Sequence, residues 1–98
     1  MTLDDALTVL REHRADLRRE HVVRAGVFGS VARGDQHPDS DVDVLIEFDP
    51  EARVTLFGYV GVKHFVQSLF ATRADVIERD SLSKYIREVV EREVVYAF

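Results

Sequence analysis

The chain has 98 residues, a hydrophobic content of 46% and a formal net charge of −5 at pH 7. A chain of this length buries one modest core, so we expect a single domain over residues 1–98, without a separate substrate-binding domain. The negative charge argues against direct nucleic-acid binding, which depends on many lysine and arginine contacts to phosphate. The absence of cysteine excludes disulfides and thiolate metal sites, and it is compatible with a reducing compartment.

The first residues carry no secretory signature. Asp4 and Asp5 make this segment acidic, whereas a secretory signal begins with basic residues. No apolar run approaches the roughly 20 residues that a membrane span needs. We therefore expect a soluble protein that does not bind membranes, with the cytoplasm as its simplest location.

A helix and a strand are predicted first along the chain. Apolar residues recur at helical spacing from Leu3 to about Arg19, which indicates one amphipathic helix. Thr2 is its expected N-cap, and Asp5 occupies the reciprocal capping position. Residues 22–28 are rich in β-branched and apolar side chains, which predicts a buried strand that ends in a tight turn.

The central elements are predicted from turn residues and from apolar runs. Residues 30–33 favour a short helical turn that Gly34 ends. A loop of turn formers then leads to a second strand from Asp41 to Phe48. Thr55 to Phe70 favours a helix, although two glycines lower its intrinsic propensity.

The last third of the chain completes an α/β pattern. A short β-branched stretch from Ala74 to Glu78 predicts a strand. Asp80 or Ser81 is the expected cap of a terminal helix, which we expect to continue through residues 94–98. The order αβ(α)βαβα predicts a small α/β fold in which helices cover a short mixed sheet of three or four strands.

Two aspartates open the second predicted strand. Alternate side chains of a strand share a face, so Asp41 and Asp43 point together, with Cα atoms roughly 6.6 Å apart. That spacing lets both carboxylates converge on one cation, or on two cations about 3.5–4 Å apart. Oxygen-only ligands suit magnesium, which takes its remaining oxygens from water and substrate phosphates. The pair therefore predicts a magnesium site, with two ions expected.

A turn that suits phosphate precedes the aspartates. Gly29 lets a phosphate approach the backbone closely, and the Ser30 hydroxyl with nearby amides can donate hydrogen bonds to it. Arg33 lies one turn further on, where it can either bind phosphate or brace the loop against a carboxylate. Neither the long P-loop signature nor the dinucleotide-binding glycine fingerprint occurs in the chain.

A third carboxylate is expected at Asp75. Two-metal sites for phosphoryl-type transfer commonly need one, and Asp75 lies on a predicted strand with the same alternation as Asp43. There it can complete the metal site and help to remove the proton of an attacking hydroxyl. The predicted catalytic and metal-binding residues are thus Asp41, Asp43 and Asp75, and the predicted nucleotide-binding residues are Gly29, Ser30 and Arg33.

These motifs together resemble a known family. The segments GSVARG (residues 29–34) and SDVDVLI (residues 40–46) are similar to the signature of the DNA polymerase β-like nucleotidyltransferase superfamily. Nearly the whole chain resembles its minimal nucleotidyltransferases, which include the antitoxin partners of HEPN-domain toxins. Val31 and His37 depart from the larger or arginine residues often found at those positions.

The resemblance implies a specific reaction. AMP would pass from ATP, with Mg²⁺, to a hydroxyl of a partner HEPN toxin, in particular a tyrosine, and so silence it in a hetero-oligomeric toxin–antitoxin pair. The family's aspartates correspond to Asp41, Asp43 and Asp75. Two alternatives stay open: a non-catalytic antitoxin that neutralises its partner by binding, and a transferase for a small hydroxylated molecule such as an aminoglycoside.

Overall fold

A computed structural model describes residues 1–98. It contains five α-helices: α1 (Leu3–Glu12), α2 (Arg14–Arg19), α3 (Gly29–Arg33), α4 (Leu56–Ser68) and α5 (Lys84–Glu93). It contains four β-strands: β1 (Val22–Phe28), β2 (Val42–Phe48), β3 (Ala74–Glu78) and β4 (Val95–Tyr96). The strands form one mixed sheet in the order β3-β2-β1-β4, in which only β2 and β3 are parallel. The predicted α/β class and mixed sheet are confirmed, and the sheet has four strands.

The sheet separates a large core from a smaller one. Val42, Val44 and Ile46 alternate along β2 toward the face that α1, α2 and α4 cover, and all three are fully buried. Leu45 points to the opposite face, where it packs with Phe28 and with Val90 of α5. Asp43 shares that second face with Leu45 because the two residues are two positions apart.

None of the helices is long and apolar enough to span a bilayer.

The prediction of a single N-terminal helix is wrong in one respect: the chain forms two helices that meet at His13. The capping box of Thr2 and Asp5 is present as expected. The His13 ring Nδ1 lies 2.9 Å from the carbonyl oxygen of Val9, and the His13 amide instead donates to Leu10. The side chain thus takes the carbonyl that a continuous helix would use, and a separate helix α2 begins at Arg14 and buries Leu17.

The prediction for the end of the chain is also wrong. Neither Asp80 nor Ser81 caps α5; both lie in a 3₁₀ turn, and the Ser83 hydroxyl accepts from the amide of Ile86 at 3.4 Å. Residues 94–98 do not continue the helix. The β-branched run after Glu93 adopts an extended backbone and pairs with β1 as β4.

A glycine in β1 makes room for this fourth strand. A Cβ at Gly26 would lie 2.8 Å from both the Val95 carbonyl oxygen and Val94 Cγ2, so β4 can pack only against a residue without a side chain. The Ala97 amide donates to the carbonyl of Ala25 at 2.8 Å. Ala97 itself is buried in the large core.

Candidate active site

The sheet places Asp43 and Asp75 side by side. Asp75 is the register partner of Asp43 across the parallel pair of β2 and β3. Neighbouring strands lie roughly 4.8 Å apart, so the two residues occupy adjacent positions on the same face. On the other side of Asp43, Phe28 is its partner at the end of β1. Asp43 is therefore the centre of the site, between β3 and the turn that follows β1.

Gly29 packs directly against the Asp43 carboxylate. Its φ is 75°, in the left-handed region that disfavours side chains, and a Cβ built there would overlap Asp43 Oδ2 and lie 3.1 Å from Asp43 Cγ. Gly34, which ends α3, has a similar φ of 77° but open space around it. Gly34 is thus needed for its backbone conformation alone, whereas Gly29 is also needed because Asp43 fills the space of a side chain.

The electrostatic environment of Asp43 disfavours its charged form. Partial burial raises the pKa of this carboxyl, and the negative charges of Asp75, Asp41 and Glu93 raise it further, while Arg33 acts in the opposite direction. Because the causes are burial and like charge, a cation at this position would favour the ionised carboxylate. The donors are oxygens only, which fits Mg²⁺. Magnesium is therefore compatible with the side chains at this site.

Asp41 is the one predicted ligand that lies outside the paired strands. It precedes β2 by one residue, and its Oδ2 lies 3.9 Å from the Nε of Arg73. The amide of Val42 donates to the carbonyl of Arg73 at 2.9 Å, which extends the parallel pairing to this point. No three carboxylate or histidine side chains converge as a ready metal-binding group, so the three predicted ligands are neighbours without forming a closed cage.

Arg33 is engaged by two carboxylates. Its Nη1 donates to Glu93 Oε1 at 2.8 Å, and its Nε donates to Asp35 Oδ2 at 3.2 Å. These ion pairs raise the pKa of Arg33, the Glu93 hydrogen bond being the larger cause. Of the two roles open for Arg33, the structure shows the contacts of a brace, which joins α3 to α5. Ser30 lies next to Gly29 in the first turn of α3.

Two neighbours of the site were absent from the sequence prediction. Glu93 is 60 residues from Arg33, and no local pattern links them. The position of Arg73 could have been predicted. It precedes Asp75 by two residues, and alternate residues of an extended chain share a face. An arginine in register with Asp41 could have been inferred once the parallel pairing of β2 and β3 was assumed.

The chain is similar to known proteins along most of its length. The nucleotidyltransferase domain family matches residues 10–97. The protein adenylyltransferase MntA of Thermococcus cleftensis is 37% identical over 97 residues, which cover 98% of this chain and 96% of that protein. A solved structure described as a candidate minimal nucleotidyltransferase is 36% identical, with a TM-score of 0.75 over 97% of this chain and 95% of the other.

A more distant solved structure shares the fold alone. It is a chain in the complex of a tri-AMPylated HEPN toxin of Shewanella oneidensis with an MNT antitoxin. The identity is 13% and the TM-score 0.63, over 94% of this chain and 71% of the other. Since the family match spans most of the chain and MntA is similar along nearly all of it, the chain belongs to the nucleotidyltransferase domain family, in the group of minimal protein adenylyltransferases.

Proposed function

We propose that this protein transfers AMP from ATP to a hydroxyl of a partner HEPN toxin in the cytoplasm, and that it acts as the antitoxin of the pair. The observation that carries the proposal is the register of Asp43 with Asp75, with the Gly29 turn packed on Asp43. This arrangement brings carboxylates next to a backbone that a triphosphate can approach. It occurs in a chain 37% identical to a protein adenylyltransferase.

The aspartates have distinct roles in this proposal. Asp41, Asp43 and Asp75 would hold Mg²⁺, which when bound supplies positive charge for the triphosphate and the departing pyrophosphate. Asp75 is exposed, whereas Asp43 is partly buried, and Asp75 accepts the proton of the attacking hydroxyl. The new bond joins the acceptor oxygen to the α-phosphorus, and the bond from the α-phosphorus to the bridging oxygen of pyrophosphate breaks.

The nucleotide site lies on the turn after β1. The backbone amides that open α3 and the adjacent Ser30 hydroxyl can donate to phosphate oxygens. Arg33 belongs to the same site, because it is the positive charge that acts on Asp43. These groups would orient the α-phosphorus toward the hydroxyl that faces Asp75.

The acceptor is proposed to be a tyrosine of the toxin. In the proposed reaction the acceptor hydroxyl belongs to another protein chain. The support for a HEPN partner is the sequence resemblance together with the fold shared with the Shewanella oneidensis complex. A phenolic hydroxyl on an exposed loop of the toxin would reach the open face beside Asp75.

The test uses the product of the neighbouring gene as the candidate toxin. Both proteins are mixed with ATP and Mg²⁺, and the toxin is weighed and mapped by mass spectrometry. The proposal predicts a gain of one or more AMP units on tyrosine and a loss of toxin activity. A toxin silenced equally well by the double variant Asp41→Ala, Asp43→Ala, without a mass gain, would show neutralisation by binding and refute the transfer.

A further inference from the structure

We propose that Glu93 is a positioning residue, which acts through Arg33 to hold the Gly29–Ser30 turn in its nucleotide-binding conformation. The inference rests on the proposed function, since it concerns how the same site is kept in shape. Glu93 is the last residue of α5 and stands far from the aspartate motif in the sequence. Its side-chain hydrogen bond goes to Arg33, so a positioning effect on the turn passes through that residue.

The ion pair occupies the guanidinium in a way that suits a brace. Glu93 Oε1 accepts from Arg33 Nη1 at 2.8 Å, and Asp35 Oδ2 accepts from Arg33 Nε at 3.2 Å. Two carboxylates therefore compensate one positive charge. The Arg33 side chain is 48% exposed, whereas that of Glu93 is only 30% exposed. The better-buried partner belongs to α5, which is itself packed on the sheet through Val90. Arg33 thereby joins α3 to a helix that contacts the sheet.

The Arg33–Glu93 ion pair matters because few other side chains of α3 are buried. Only Val31 of its five residues is buried. Val31 fixes α3 to the large core on one face of the sheet, and the Arg33 pair fixes it to α5 on the other face. Gly29 is the first residue of this short helix and lies against Asp43. A shift of α3 would therefore move the turn and the central carboxylate together.

The same helix provides a matched control. Glu91 lies two residues before Glu93 and pairs with Arg79, with 2.6 Å between Glu91 Oε1 and Arg79 Nε. Arg79 belongs to the 3₁₀ turn after β3, at the opposite end of that strand from Asp75. Glu91→Gln therefore removes a comparable ion pair from α5 without touching α3. Any difference between Glu93→Gln and Glu91→Gln reports the connection to the turn.

The experiment measures binding of α,β-methylene-ATP with Mg²⁺ to the isolated chain by calorimetry, with urea denaturation of each variant as the stability control. Glu93→Gln should weaken binding about tenfold or more, while Glu91→Gln stays within about twofold, because small displacements of positioning groups have large effects. Equal affinities for these two variants would overturn the inference while leaving the proposed function intact. A wild-type chain that binds no nucleotide would overturn both.

A charge exchange separates bracing from direct phosphate contact. In an Asp35→Asn background, which removes the second carboxylate, Arg33→Glu and Glu93→Arg should each weaken nucleotide binding. The double variant should bind within about threefold of the background, since the brace is restored with its charges reversed. If Arg33 instead contacts phosphate, a glutamate there leaves the double variant as weak as Arg33→Glu, and the brace is refuted.

Discussion

The contact between Gly29 and Asp43 predicts a specific energetic coupling. Gly29→Ala places a methyl group at φ 75°, where a left-handed backbone costs about 1–2 kcal/mol. The added Cβ also overlaps Asp43 Oδ2, and displacing that side chain from its rotamer costs a further 0.5–1.5 kcal/mol or so. The free energy of unfolding should therefore fall by about 1.5–3.5 kcal/mol. AMP transfer should fall with it, because the displaced carboxylate is the central one.

Gly34→Ala is the matched control for this variant. Its φ is 77° and nothing lies within 4 Å of the added Cβ, so only the backbone cost of about 1–2 kcal/mol applies. The assay is urea denaturation without metal, in wild-type and Asp43→Ala backgrounds. In the second background Gly29→Ala should cost no more than Gly34→Ala. Equal costs for both glycine variants in the wild-type chain would refute the proposed contact.

Three further predictions follow from the same site and sheet. Burial and the neighbouring carboxylates raise the pKa of Asp43 in the folded state, so ionisation of this carboxyl should lower the stability of the metal-free chain as pH rises above about 4. Asp43→Asn should abolish that loss of stability, and Mg²⁺ should raise the melting temperature of the wild type but not of this variant. If stability depends on pH in the same way in the wild type and in Asp43→Asn, Asp43 is not the group responsible. Asp75→Asn should lower AMP transfer about 10²-fold or more with an unchanged melting temperature, and a fully active variant would exclude Asp75 as the base. Gly26→Ala should cost about 1–3 kcal/mol and speed hydrogen exchange at the Ala97 amide, whereas unchanged exchange would show that β4 tolerates a side chain there.

Local patterns predicted the parts of the fold that local chemistry decides. The bounds of β1 and β3 follow from β-branched runs between turn residues, and they agree with the structure. Gly34 ends α3 because only a left-handed residue closes that turn easily. The break at His13 was not predictable from periodicity, because a side chain competes there for one backbone carbonyl. The fourth strand also depends on a distant partner, the glycine in β1.

The site was predicted unevenly for the same reason. Alternation along two strands placed Asp43 and Asp75 on one face, and their pairing required only that β2 and β3 be parallel neighbours. The link from Arg33 to Glu93 joins residues that no motif connects. Arg33 could be assigned two roles from the sequence, and only the folded arrangement shows its carboxylate partners.

We propose above that the chain's own carboxylates catalyse transfer of AMP to a partner protein. The most direct measurement compares pyrophosphate released with AMP gained by the candidate toxin, for the wild type and for Asp43→Asn, with ATP and Mg²⁺. We expect equal amounts of both products for the wild type and neither product for the variant. Pyrophosphate without modified toxin, or equal activity in the variant, would contradict it.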